Sequence, residues 1–401
     1  MFSFANPPSR TEPIATMSRP APLYFDYAAT TPVDERVIEM MLTCLGRDSH
    51  FGNPASNGHA FGQAARNAVE TARQQVAQRV GAQAEQIIWT SGATESNNLA
   101  LKGIAQGCAQ PGHLITSAIE HKAVLDTADQ LQRLGWDVTR LHPERDGLIT
   151  PAQVAAAWRP QTRLVSLMAV NNELGTVTDF AAIGEHVRAQ GALLHVDGAQ
   201  AVGKLQLDMR TQAVDLMSFS AHKAYGPKGI GALYVGERAL PLLRAQMHGG
   251  GHERGLRSGT LPSHQIVGMG SAFALAGQPG DAEHLRIQQL SRRLHDGLLA
   301  LPGVRLNGCP TQRVPHTLNL TIDVPGFNAA ALAGELAVSS TSACNSASQA
   351  PSHVLLALGL EPQAARNSVR ISLGRYSSEA QVEAALAVFA RALGAASVAL
   401  W

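Results

Sequence analysis

Between residues 86 and 220, short β-branched runs that close on Gly, Ser, Asn or Asp alternate with longer, Ala-rich amphipathic stretches. Q-I-I-W-T (86–90), H-L-I-T-S (113–117), R-L-V-S-L-M-A-V (163–170), A-L-L-H-V-D (192–197) and V-D-L-M-S-F-S (214–220) read as buried strands. The spacing predicts helices over 95–105, 123–134 and 181–190 between them. Strict strand–helix alternation implies an α/β fold, with a mainly parallel sheet flanked by helices on both faces. In such sheets chemistry collects at the carboxyl ends of the strands. Beyond about residue 278 the pattern changes to a long helix (282–301), strands around 304–306 and 317–322, a Cys-bearing segment and a last helix from 378. That reads as a smaller α+β domain. The expected organisation is a leader and arm over 1–33 joining the small domain, a large domain over 34–278, and a small C-terminal domain over 279–401 carrying a mobile loop around Cys344.

Composition narrows the class. The 401 residues are 45% hydrophobic and 16% charged, enough apolar material for a large core. Thirty-two Lys and Arg against 31 Asp and Glu leave a formal charge of +1, with no long run of one sign. Neither nucleic acid nor a membrane surface is expected as a partner. Apolar runs are too short to span a bilayer. Four cysteines (Cys44, Cys108, Cys309, Cys344) without a C-x-x-C pair argue against a disulfide framework or thiolate metal site, so a reducing, cytoplasmic location is expected. The Pro- and Ser-rich first two dozen residues lack the apolar core of a secretory signal and read as a flexible leader, with Met17 an alternative start.

Several strand ends carry candidate chemistry. S-G-A-T-E (91–95) opens a helix after a strand, so Thr94 and nearby amides can form an anion site or simply cap the helix. Asp197 stands where an apolar strand runs out and must be paired, either structurally or with a ligand. Lys223, in S-F-S-A-H-K-A-Y-G-P-K-G-I-G, follows a strand and precedes a Gly-Pro turn. A partly desolvated lysine is a nucleophilic amine able to form a Schiff base. With an upstream strand-end acid it suggests pyridoxal phosphate, which needs both groups. His121, in E-H-K-A-V-L-D, can stack on a ring and move protons or can cap a helix. Asn172, in V-N-N-E-L-G, can meet a carboxylate or ring hydroxyl, or serve turn chemistry. A zinc site through His248 and His252 lacks a third ligand, leaving anion binding or a subunit contact for H-G-G-G-H-E-R-G-L-R-S-G-T (248–260).

Cys344 lies in S-S-T-S-A-C-N-S-A-S, among small residues that offer a thiol access and little to bury. Cys44, Cys108 and Cys309 read as small buried or incidental residues.

In order and spacing, this set resembles the cysteine desulfurases of the IscS/NifS type, within the class V aminotransferases. The resemblance runs from Y-F-D-Y-A-A-T-T-P (24–32) through F-G-N-P-A-S, S-G-A-T-E-S, the E-H-K, V-N-N-E-L-G, H-V-D-G-A-Q, H-K-A-Y-G-P-K-G-I-G, H-G-G-G-H and S-A-C motifs to R-I-S-L-G-R (370–375). It implies a fold-type I enzyme in which Lys223 holds pyridoxal phosphate, Asp197 pairs with the ring nitrogen and His121 stacks on the ring. Gln200 would contact the ring hydroxyl and Asn172 the cofactor or substrate. Ala93, Thr94, Ser220 and His222 would cradle the phosphate, with Thr260 reaching across from the second subunit of a homodimer. Arg370 would clamp the carboxylate of L-cysteine. Cys344 would take its sulfur as a persulfide, release L-alanine and deliver sulfur to a protein acceptor such as an iron-sulfur scaffold, or into thiolated tRNA or other sulfur cofactors. No resident metal is implied, Cys344 being a candidate transient iron-sulfur ligand.

Departures from the resemblance are Thr341 for a usual Gly, Ala221 for the Gly before His-Lys, and Gly198-Ala199 for the usual Ala-Thr. The sequence ends at Trp401 without the usual tail, which questions the scaffold partnership. The alternatives are a selenocysteine lyase or another class V reaction with Cys344 incidental, and a non-catalytic sulfur-transfer scaffold.

Overall fold

The computed structural model describes residues 21–340 and 350–398. The leader before residue 21 and the Cys344 segment fall outside the described residues.

In chain order the strands are β1 (Leu23–Tyr24), β2 (Ile87–Thr90), β3 (His113–Ser117), β4 (Asp137–Leu141), β5 (Thr162–Met168), β6 (Leu193–Asp197), β7 (Leu216–Ser220), β8 (Gly231–Val235), β9 (Val304–Leu306), β10 (Thr317–Ile322), β11 (Leu336–Ala337), β12 (Ser339–Ser340) and β13 (Ser368–Ser372). Seven of them form the main sheet in the order β2-β8-β7-β6-β5-β3-β4. The pairs β4–β3, β3–β5, β5–β6 and β6–β7 are parallel, whereas β8 runs antiparallel to both β7 and β2. The alternation forecast the parallel part. The reversed β8 was not legible, because it returns from β7 through the Gly-Pro turn without a helix.

Residues that alternate along each strand enter two different cores, which is what cover on both faces requires. Trp89, Ile115, Val165, Leu194, Met217 and Phe219 pack on one face. Ile88, Leu114, Leu164, Leu193, Leu216 and Leu233 pack on the other, against the helices Ala93–Gly107 and Lys122–Arg133. Helices Ala60–Val80, Phe180–Ala189 and Ser263–Ala274 cover the first face.

A second sheet, β12-β13-β10-β9, is antiparallel and has its own core. The helix Ala282–Leu299, capped by Asp281, supplies Ile287, Leu290, Leu294 and Leu298 to it at helical spacing, and Val382, Ala385 and Phe389 come from Glu379–Val398. The N-terminal arm touches both sheets. Phe25 lies in the second core, β1 pairs parallel with β11, and the Ala28 N–H donates to Ser372 Oγ at 2.8 Å. Three residues on, the Thr31 N–H donates to the His222 carbonyl at 2.9 Å, beside the end of β7.

Candidate active site

The carboxyl ends of β2, β3, β5, β6 and β7 open on a cavity of about 440 Å³, within the range of small-molecule sites. Ala93, Thr94, His121, Asn172, Asp197, Gln200, Ser220, His222, Lys223 and Arg370 all line it.

One corner is built for an anion. The helix Ala93–Gly107 starts at this edge from Gly92, with φ of 155°, and no side chain caps it. Its first N–H groups therefore need an acceptor, and Thr94 is a first-turn residue rather than the cap. Gly231, facing this turn from β8, has no room for a side chain, since a Cβ there would stand 2.6 Å from the Gly92 Cα. His222 completes the corner, its Nδ1 hydrogen-bonded to Thr30 Oγ1 at 3.1 Å. Burial, with Lys223 and Lys228 nearby, holds its pKa down at about 4, so it is neutral at physiological pH. Ala221 fits the packed core before it, where Gly226 leaves space that a Cβ would fill to within 2.9 Å of the Ala221 Cβ.

Asp197, 4% exposed, ends β6 on the cavity floor. Asn97 Nδ2 donates to its Oδ2 at 2.8 Å and the Ala199 N–H donates to its Oδ1 at 3.0 Å. Asn97 Oδ1 has no partner among the described residues. Lys223 follows β7 in a short 3-10 turn, and its Nζ donates to the carbonyls of Ala28 and Ala29 at 2.7 and 2.6 Å. The Ala28 carbonyl also accepts from Gln200 Nε2 at 2.8 Å.

His121 is at once a helix cap and a cavity residue. Its Nδ1 accepts from the Ala123 N–H at 3.1 Å, which leaves the neutral ring's proton on Nε2. It is exposed within the open cavity, yet the surrounding protein lowers its pKa by desolvation, with Asp197 opposing and Lys223 adding to the shift. Of the Asn pair, Asn171 makes the turn: its Oδ1 accepts from the N–H groups of Glu173 and Leu174, both at 2.9 Å. Asn172 is left to line the cavity, and its carbonyl accepts from Arg370 Nη1 at 2.9 Å.

Arg370, 2% exposed, arrives from β13 of the second sheet. Its Nη2 donates to Asp26 Oδ1 and to Ser339 Oγ, both at 2.8 Å. Its Nε is buried without a partner among the described residues.

Residues 23–385 match the family described as Aminotransferase class-V. The chain belongs to the class-V aminotransferase family. Curated relatives include a cysteine desulfurase IscS of Azotobacter vinelandii, 57% identical over 93% of this chain and 93% of its own, and one of Pseudomonas savastanoi pv. phaseolicola, 56% identical over 90% of each. Among solved structures, a NifS-like protein superposes with a TM-score of 0.84 at 34% identity, covering 93% of this chain and all of its own (100%). Another, titled "SspA in complex with cysteine", gives 0.78 at 40% identity, over 89% of this chain and 100% of that one.

Class-V aminotransferases use pyridoxal phosphate, and the residues here fit that group. An uncapped helix N-terminus suits a phosphate, a buried carboxylate with a polar floor suits a pyridinium nitrogen, and a cavity lysine suits the aldehyde. Two expected residues stand apart. Thr260 is exposed and does not line the cavity of this single chain, and Cys344 lies outside the described residues. The 248–260 segment is pinned to the main sheet: Glu253 accepts from Arg73 Nη1 and Nη2 and from the Trp89 N–H, each at 2.8 Å. His252 Nδ1 accepts from the Gly259 N–H at 3.2 Å, and no group of three metal-ligating side chains occurs among the described residues.

Sequence reasoning missed Asn97, Asp26, Ser339 and the carbonyls of Ala28 and Ala29. Asn97 carried a signal, since it stands four residues after Ala93 on the same helix face. The others reach the site only through tertiary structure.

Proposed function

We propose that this protein is a pyridoxal-phosphate-dependent cysteine desulfurase, converting L-cysteine to L-alanine and leaving the sulfur on Cys344 as a persulfide. The observation that carries the reading is the convergence of Lys223, Asp197, His121 and Arg370 on one cavity, in a chain 57% identical to curated desulfurases.

The bound cofactor supplies an aldehyde for amines and an electron sink for charge released at the substrate α-carbon. Lys223 is the amine that holds it and that carries protons to and from the substrate carbons. Asp197, fixed by Asn97 and Ala199, places a negative charge against the ring nitrogen. The first turn of Ala93–Gly107, with Thr94, Ser220 and His222, holds the phosphate. Gln200 offers an amide N–H to the ring hydroxyl, and neutral His121 faces the ring and exchanges protons through Nε2. Arg370 binds the substrate carboxylate through donors left over from Asp26, Ser339 and Asn172. Cys344 attacks the sulfur of cysteine as a thiolate: an S–S bond forms, the Cβ–S bond breaks with its electron pair left on carbon, and protonation completes alanine. The sum is cysteine plus enzyme thiol giving alanine plus enzyme persulfide.

Thr260 is proposed to act on the phosphate of a second copy, which makes the working unit a homodimer. A protein sulfur acceptor, such as an iron-sulfur scaffold, takes the persulfide sulfur. No helix of the described residues is long and apolar enough to cross a membrane, and a cytoplasmic location suits a free catalytic thiol. The large domain is assigned to 34–278 and the small one to 279–401, with the arm over 1–33 joining the latter.

The test is incubation of the purified, cofactor-loaded protein with L-cysteine, followed by intact-mass and peptide-mapping analysis with an alanine assay. A one-sulfur adduct on Cys344 with stoichiometric alanine is expected. A Cys344→Ala variant that kept full turnover would overturn the persulfide route in favour of selenocysteine lysis or another class V reaction.

A further inference from the structure

Lys204 stands four residues beyond Gln200, in the turns that follow β6, and with Lys223 lines a small cavity behind the site. Its Nζ donates to Gln200 Oε1 at 2.5 Å. Gln200 Nε2 in turn donates to the Ala28 carbonyl, which also accepts from Lys223 Nζ. A chain of polar contacts therefore links the two lysines through one side-chain amide and one backbone carbonyl.

The direction of that chain fixes the amide. A carbonyl only accepts, so the nitrogen of Gln200 must face Ala28, and Oε1 then needs a donor. Gln200 is 5% exposed, so an Oε1 without a donor is costly. Lys204 is that donor. With Oε1 held, one Nε2 N–H is committed to Ala28 and the second is left for an acceptor in the cavity that Gln200 lines. Among the described residues no carboxylate is paired with Lys204, although Glu283 lines the same small cavity, and burial with the positive charges of Lys223 and Arg370 pushes its amine down to about 7. A lysine in that setting contributes through its hydrogen bond more than through an ion pair.

We propose that Lys204 is a positioning residue, which acts through Gln200 by holding its amide so that one N–H is presented to the ring oxygen of the cofactor. The inference rests on the pyridoxal-phosphate reading above. A donor to that oxygen makes it a weaker base and so lowers the pKa at which the cofactor's linkage to Lys223 loses its proton.

The experiment is a spectrophotometric pH titration of the cofactor band in the loaded parent, Lys204→Met, Gln200→Leu and the double variant. Lys204→Met and Gln200→Leu are each expected to raise the band's pKa by about half to one unit, the scale of one hydrogen bond. The double variant should match Gln200→Leu alone. An unchanged pKa in Lys204→Met, or a shift of equal size with and without Gln200, would overturn the proposal, the latter because Lys204 would then act as a charge in its own right. If Lys204→Met gives no soluble protein, neutron diffraction of the parent decides, since the Gln200 amide hydrogens must lie on the Ala28 side. A parent that bound the cofactor with no visible-edge band would instead sink the Lys223 linkage itself, and this inference with it.

Discussion

Arg370 Nη2 and Asp26 Oδ1 lie 2.8 Å apart and join β13 of the second sheet to the N-terminal arm. The arginine side chain is 3% exposed and the aspartate side chain 19%. Asp26→Ala leaves a buried cation short of its acid, which costs about 2–3 kcal/mol of stability after allowance for the partial exposure of Asp26. Urea unfolding of the two proteins measures it.

Arg370→Lys replaces a planar fork by a point charge. The expected result is a rise in KM for L-cysteine of about 10- to 100-fold, with the cofactor spectrum unchanged. Steady-state alanine release against cysteine concentration checks this, and an unaltered KM removes Arg370 from the carboxylate site.

Asp197→Asn separates charge from shape. The new amide oxygen keeps the Ala199 N–H, and Asn97, whose Oδ1 lacks a partner among the described residues, can turn over to accept from the new amide nitrogen. Folding should survive, with a melting temperature within a few degrees of the parent, because the number of hydrogen bonds is unchanged: Asn97 Nδ2 takes over from Oδ1 as the atom without a partner. Turnover should fall by roughly 100-fold or more through loss of the charge on the ring nitrogen.

Glu120 predicts a pH effect of known sign. Its Oε1 accepts from Ser117 Oγ at 2.6 Å and from the Met168 N–H at 3.1 Å, while its Oε2 has no partner among the described residues. Burial raises its pKa from 4.5 to about 8, with the Ser117 hydrogen bond opposing and Asp197 adding to the rise. Between those values the folded protein keeps a proton that the unfolded chain releases, so this group's stabilisation is full below pH 4.5 and is lost as pH rises through 8. Glu120→Gln carries no such proton. The stability of the parent relative to this variant should therefore decline from pH 4.5 to 8 in parallel denaturation series.

Lys223→Ala should abolish the visible-edge cofactor band and lower turnover by at least about 1000-fold. Among the groups it leaves behind are the carbonyls of Ala28 and Ala29, of which the first still accepts from Gln200. Circular dichroism should consequently match that of the unloaded parent.

Much of this site was legible because strand ends are legible. His121, Asn172, Asp197, Ser220 and Lys223 each follow an apolar run, and the sheet brings those run ends to one edge. At two of them the local geometry turned on hydrogen bonds that no spacing encodes. Asn171 took the turn and freed Asn172, while His121 proved to be both cap and cavity residue. Arg370 was reached through a motif resemblance, but its partners Asp26 and Ser339 were hidden, being contacts across the chain set by the docking of one sheet on another. The reversed β8 was hidden for a related reason: its continuous apolar run reads the same whichever way the strand runs.

The arm that supplies the Ala28 and Ala29 carbonyls has a consequence for biogenesis. It leaves a ribosome before either larger sheet does, yet β1 needs β11, and Ala28 needs Ser372. Its anchors on the Lys223 side are made about 150 residues before Ser372, its anchor in the second sheet, exists. The arm must wait beside a nearly finished main sheet, so the bed of the lysine is among the last parts of the molecule to set, and contacts of such long sequence separation slow folding. A nascent chain released before residue 372 would hold its lysine and its acid, but its arm would lack its anchor on β13.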